Sequence, residues 1–256
     1  MAGHSLDIIW PAFLTGLLVL STHVPLGKLV LDRGIVFIDL AIAQVAGLGV
    51  VTADFLGWEP NGWSVQASAV AAALLSAAFL IWTERRLAAL QEAVIGIVFV
   101  VAASAEIVLL SFNPHGAENL KDLLVGQILW VLPEQLLVPA ILYAAVLAVA
   151  ATVDLGRHRV LFYALFAVTV TASVQLVGVF LVFASLIVPA LTARAIGVRR
   201  PLLFSYALGL AGYVLGLLAS LFLDLPTGAA VVCALALLAV IVGGGSSLLQ
   251  TARRAA

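Results

Sequence analysis

Runs of about twenty apolar residues, parted by short polar breaks, fill nearly all of this 256-residue chain. A helix needs about 20 apolar residues to cross a hydrocarbon core of roughly 30 Å, where every backbone N–H and C=O must find its partner inside the protein. The runs at 8–31, 35–55, 63–82, 93–112, 136–153, 202–223 and 228–249 each meet that length, and none shows the alternation of a barrel strand. Apolar residues make up 64% and charged residues 10% of the chain, so a water-soluble fold would have too little polar surface to cover its core. The sequence predicts an all-α, polytopic membrane protein of about eight transmembrane helices, forming a single domain over 1–256. One stretch, 160–196, is ambiguous. As one helix its 37 residues would reach about 55 Å, nearly twice the apolar thickness, so it crosses twice or crosses once and continues along the surface.

The amino terminus lacks the basic cluster and small-residue cleavage site of a signal peptide, which makes 8–31 a retained first helix. Cys233 is the single cysteine, so there is no internal disulfide and no thiolate metal cluster. Basic residues gather in cytoplasmic loops. Lys28 and Arg33, Arg85 and Arg86, Arg194, Arg199 and Arg200, and Arg253 and Arg254 all fit one cytoplasmic side, which places the loop at 113–122 outside. Arg157 and Arg159 join them only if 160–196 crosses twice, leaving Lys121 as the exception. Gly212 and Gly216 form a Gly-xxx-Gly pair that lets helices approach closely, expected to pack within the chain rather than at a dimer seam.

Polar groups at membrane depth are costly and mark pathways when they persist. Asp39 lies about a turn beyond Arg33, either paired with it, capping a neighbouring helix, or lining a pathway. Glu106 lies six residues before the outer loop, placed to snorkel outward, to pair with Lys121, or to face a pathway. In that loop, His115, Glu118 and Asp122 would share one face of a helix starting after Pro114, and imidazole with carboxylates suits zinc, manganese or iron. The same residues also read as an ordinary helix start, with Asn113 as cap and acids near the positive helix end. His23 sits in the first run near Pro25 and Gly27. No His-Glu-x-x-His or Gly-x-Ser-x-Gly motif and no phosphate loop occurs, so the chain is not expected to be an enzyme; ATP-driven transport would need an ATPase on another chain.

Several segments in the same order resemble the membrane permeases of ABC importers for zinc, manganese and iron. They are Leu-Gly-Lys-Leu-Val-Leu-Asp-Arg-Gly-Ile-Val-Phe at 26–37, Glu-Ala-Val-Ile-Gly-Ile-Val-Phe at 92–99, Asp-Leu-Leu-Val-Gly-Gln-Ile-Leu at 122–129, the run at 175–193 containing Leu-Ile-Val-Pro, and Leu-Asp-Leu-Pro-Thr-Gly-Ala at 223–229. The resemblance implies a homodimeric importer of the vitamin-B12-permease (type II) architecture in the inner membrane. Its partners would be a cytoplasmic ABC ATPase subunit carrying ATP, an external substrate-binding protein, a second copy of itself and membrane lipid, with no nucleic acid. No cofactor is held permanently; a divalent metal passes through. In related permeases the segment that couples to the ATPase follows the Leu-Ile-Val-Pro helix, which points to Pro189, Arg194, Arg199 and Arg200 and favours a single crossing in 160–196.

The resemblance breaks at one place. The family's second helix carries an acid and a histidine four residues apart, in the pattern Gly-Asp-Ala-x-x-x-His, where this chain has Leu40 and Gln44. The acid stands at Asp39 instead, about 100° around the helix. Metal-pathway candidates are therefore Asp39, Gln44, His23 and Glu106, with His115, Glu118 and Asp122 outside. The alternatives are a permease of this architecture for another solute or a metal complex, and an ion-coupled secondary transporter without ATPase.

Overall fold

The computed structural model describes residues 2–59, 62–113 and 116–255, with side chains from Ile9 to Gly244 except Ala117. The helices are α1 (Ala2–Arg33), α2 (Ile38–Phe55), α3 (Trp63–Arg86), α4 (Gln91–Leu110), α5 (Gly116–Val125), α6 (Leu137–Thr152), α7 (Arg159–Val177), α8 (Val179–Ile196), α9 (Pro201–Leu223) and α10 (Thr227–Ala255). Short 3-10 turns precede α4 and α6. Among the described residues nine helical segments are long and apolar enough to span a membrane; α5, at ten residues, is not one of them. The chain is an all-α, multi-pass membrane protein.

The count is nine rather than about eight because 160–196 is two helices. Gly178 stands between α7 and α8 with φ 80° and ψ 162°, a region that only glycine enters without strain. Its amide still donates to Val174 O at 2.8 Å, which closes α7 before the chain turns. Each resulting helix has the length and apolarity of a span, Arg159–Val177 and Val179–Ile196. Where the family pattern favoured a single crossing, the chain thus has two helices each long and apolar enough to cross.

Two compact units emerge. The first comprises 34–126 and 138–179. Within it α2 packs against α3, α4 and α7, and the small residues Ala41, Ala43, Ala46, Gly47, Gly49 and Ala53 on its buried surface explain why three helices can crowd around it. Gly49 lies on the α3 backbone at Ser68 and Ala69, and Ser68 Oγ donates to Gly49 O at 2.8 Å. Hydroxyls inside these helices are satisfied locally: Thr171 donates to Ala167 O at 2.8 Å, and Ser173 to Thr169 O at 2.8 Å. At one end of the unit, Arg159 Nε lies 3.6 Å from Glu84 Oε1.

The second unit comprises the residues up to 33, 127–137 and those from 180 on. Here α9 packs between α1 and α10. Gly212 and Gly216 meet Leu235 and Val231 of α10, so the Gly-xxx-Gly pair serves packing within the chain. Gly16 lies on the Tyr213 ring and Gly27 on the Leu186 carbonyl, with Tyr213 OH 2.9 Å from Ser185 Oγ. Pro189 lies inside α8, which continues to Ile196, and the non-helical stretch before α9 is only 197–200.

Candidate functional site

The polar residues of the first unit gather where α2 meets α4. The chain enters α2 through a turn opened by Gly34 at φ 70°. Val36 N donates to Glu92 Oε1 at 2.6 Å, which fastens the start of α2 to the first turn of α4 and sets the register of the seam. Further along that seam, Gln44 Nε2 donates to Glu106 Oε2, both side chains being buried. Gly47 makes the arrangement possible, since a Cβ there would strike Glu106 Oε1. Glu106 thus turns inward to Gln44 and Gly47, not outward to the loop or to Lys121.

The pair carries an unbalanced demand. A neutral amide donates one hydrogen bond and no charge, while Glu106 Oε1 and Gln44 Oε1 are buried acceptors without a partner. An isolated carboxylate in a water-free interior costs several kcal/mol unless a proton or cation joins it. Two unpartnered acceptor oxygens on hydrogen-bonded side chains, one of them on a carboxylate, fit a cation better than an anion or an apolar solute.

Asp39, in the first turn of α2, is 0% exposed. Neither oxygen of its carboxylate has a side-chain partner. His23, in the other unit, is equally buried. Its Nδ1 is 2.9 Å from Val19 O, a bond that requires the proton on Nδ1 and leaves the Nε2 lone pair open and unpartnered. Glu118, exposed, and Asp122, partly buried, both lie on α5, whereas His115 falls outside the described residues. Among the described residues no three His, Cys, Asp or Glu side chains converge as a metal cluster.

The residues expected at the coupling segment are spread over one end of the second unit. Arg194 Nη1 donates to Leu31 O at 2.8 Å and stands 3.7 Å from Asp32 Oδ1, and Lys28 Nζ is 2.8 Å from Asp32 Oδ2. Arg199 and Arg200 are exposed beside them in sequence, before α9. Pro189 O accepts from Ser205 Oγ at 3.1 Å. A cavity of about 320 Å³ opens among Lys28, Asp32, Arg194, Gly197, Pro201 and Ser205.

Sequence reasoning missed two members of the α2–α4 seam. These two, Glu92 and Gly47, were not among the pathway candidates drawn from the sequence. The available signal was the cluster of small residues on α2 opposite an acid-bearing helix, which marks where a carboxylate can enter between helices.

The chain is 24% identical over 256 residues to the "High-affinity zinc uptake system membrane protein ZnuB" of Haemophilus influenzae, covering 92% of this chain and 96% of that one. It is 28% identical over 182 residues to the "Probable iron transport system membrane protein" of the same organism, covering 63% and 64%. Its fold is similar to a chain of PsaBC from Streptococcus pneumoniae in complex with Fab, with a TM-score of 0.74, 21% identity, and coverage of 94% and 95%. A metal-chelate type ABC transporter in an inward-facing conformation also matches, with a TM-score of 0.70, 16% identity, and coverage of 91% and 84%. The family model for ABC 3 transport proteins matches residues 5–154 and 145–243, which together take in every helix of the seam and of the second unit up to the end of the last span. By that match, this chain belongs to the ABC 3 transport family.

Proposed function

We propose that the chain is the permease of an ABC importer that carries a divalent transition metal, zinc, manganese or iron, across the inner membrane. The observation that carries the reading is the buried Gln44–Glu106 pair, which sits on the helix where the family places its acid and histidine and presents two open oxygens with no positive partner. Glu106 supplies from α4 the charge that Leu40 cannot supply from α2. Asp39 and His23 are further points on the ion's route, and Glu118 with Asp122 would draw cations toward its outer mouth.

The two compact units act as one permease domain, joined to a second copy of the chain. A cytoplasmic ATPase subunit binds at the end bearing Arg194, Arg199 and Arg200, where the cavity of about 320 Å³ and the short stretch 197–200 suit a protruding partner segment. ATP is hydrolysed on that subunit, and an external binding protein delivers the ion. The permease contributes no covalent chemistry: Gln44 and Glu106 exchange the ion's water for protein oxygens, and helix movement returns it to water on the other side.

The test is metal accumulation in cells lacking their own zinc and manganese importers, with the chain expressed alongside its ATPase and binding protein. ATP-dependent gain of one metal, lost with a catalytically dead ATPase, is expected. Glu106→Gln should cut uptake about tenfold or more while leaving the complex assembled, since the isostere keeps the shape and removes the charge that meets the cation. The absence of histidine from the Gln44–Glu106 pair favours one second reading, a metal complex as cargo; uptake of a chelated ion but not the free ion would establish it.

A further inference from the structure

The first turn of α2 is loosely made on its own. Ile38 N reaches Ile35 O at 3.2 Å and Ala41 N reaches Phe37 O at 3.3 Å, while Phe37, at the cap position, makes no side-chain cap bond. Gly34, in the turn before it, has φ 70° and open space where a side chain would stand. Against these, Val36 N donates to Glu92 Oε1 at 2.6 Å, the shortest of the three bonds. A carboxylate accepting from a backbone N–H makes a stronger bond than a carbonyl does, and its charge is favoured where α2 and α4 both begin and present their positive ends.

Glu92 and Glu106 are fourteen residues apart on α4, about 40° short of a whole number of turns, and so share one face. That face holds the chain of α2 twice, at Val36 and at Gln44. With the start of α2 fixed, Gln44 meets Glu106, and Gly47 leaves room for the carboxylate. A rotation of α2 by one residue, about 100°, would present Ala43 or Val45 to α4 instead, and neither side chain can form a hydrogen bond.

We infer that Glu92 is a positioning residue for ion transport: its bond to Val36 N fixes the rotation of α2 that keeps Gln44 opposite Glu106, and Glu92 itself does not meet the ion. The inference rests on the permease reading and adds to it the residue that sets the geometry of the pair. What Glu92 contributes is an acceptor oxygen at a set reach rather than a charge. Glutamine keeps that oxygen at the same reach, aspartate keeps the charge but stops about 1.5 Å short, and leucine keeps bulk alone. A residue that met the cation would rank the first two in the opposite order, with aspartate above glutamine.

The experiment measures uptake of Mn²⁺ and Zn²⁺, each supplied alone, in cells expressing the permease with its ATPase and binding protein, and hydrogen exchange over residues 35–41 in the purified complex. Glu92→Asp and Glu92→Leu are expected to raise KM about tenfold and to speed exchange at the start of α2, whereas Glu92→Gln stays within about twofold of wild type on both. Glu92→Leu combined with Gln44→Leu should cost no more uptake than Gln44→Leu alone, because both act on one pair. Size-exclusion profile reports assembly; where Glu92→Leu does not assemble, Glu92→Asp takes its place. Losses that multiply in the double variant, uptake kept by Glu92→Asp and lost in Glu92→Gln, or unchanged exchange in both Glu92→Asp and Glu92→Leu overturns the inference. Failure of the permease reading shows separately, as a wild type with no ATP-dependent metal uptake, and the exchange pattern of the Glu92 variants then decides by itself whether Glu92 holds α2.

Discussion

Gly47 is the residue on which the Gln44–Glu106 pair depends, and two opposing effects decide what happens when it is replaced. Alanine gains about 1 kcal/mol over glycine inside a helix. Its Cβ strikes Glu106 Oε1, the far end of a flexible side chain that can swing aside without moving backbone. Gly47→Ala is therefore expected to leave the melting temperature of the complex unchanged or slightly raised, yet to reduce metal uptake about tenfold because Glu106 no longer meets Gln44. A large loss of stability, or full uptake, would show that the opening at Gly47 serves packing alone. Gln44→His tests the donor chemistry at the same place: imidazole favours zinc more than an amide oxygen does, so competition uptake should shift toward Zn²⁺ over Mn²⁺. An unaltered ratio would remove residue 44 from the ion's coordination. The candidates Asp39, Gln44 and Glu106 were legible in the sequence because charge and amide stand out against apolar residues. Their partners were not, since the approach of Glu106 to Gln44 depends on helix packing 62 residues apart in the chain.

At the scale of helices, the break at Gly178 shows what apolar composition conceals. Glycine is common inside membrane helices, and Leu176-Val-Gly-Val-Phe180 reads equally well as an unbroken run. The distinction comes from contact with another segment. Gly126 ends α5 at φ 73°, and its backbone lies so close to Val177 and Gly178 that a Cβ on either glycine would enter the other segment's main chain. Spacing within the sequence carries no trace of that approach, whereas the remaining spans and their approximate ends follow from hydropathy alone. Gly178→Ala adds a Cβ at φ 80° and ψ 162°, a conformation costing a non-glycine residue about 1–3 kcal/mol, and also pushes it into the Gly126 backbone. A loss of about 3 kcal/mol or more is expected, seen as a markedly lower thermal transition of the complex in detergent. Gly34→Ala is the matched comparison: it shares a positive φ, 70°, but has open space around the added carbon, so it should cost no more than the backbone term, about 1–2 kcal/mol. Equal losses would mean that the Gly126–Gly178 contact adds nothing.

For the whole molecule the number of crossings decides which loops share a side of the membrane. The family pattern favoured one crossing in 160–196, against the basic residues at 157 and 159; the two helices there, each of spanning length and apolarity, accord with the basic residues. A charge in a loop bears directly on orientation, while a short apolar motif bears only on local similarity. The Arg159–Glu84 contact at 3.6 Å places the start of α7 at the same end of its unit as the end of α3, where Arg85 and Arg86 lie. That contact is half-exposed and adds little to stability, but as a marker of position it is independent of the charge rule. Both lines favour two crossings, and two crossings would put all twelve lysines and arginines except Lys121 on the cytoplasmic side. In a Cys233→Ala background, a cysteine at 157 should react with a membrane-impermeant maleimide only when the cytoplasmic face is exposed, as should one at 86. A cysteine at 118 should react from outside in intact cells. Labelling at 157 from outside, with 86 still protected, would return 160–196 to a single crossing and detach α7 from the side that the Arg159–Glu84 contact assigns to it.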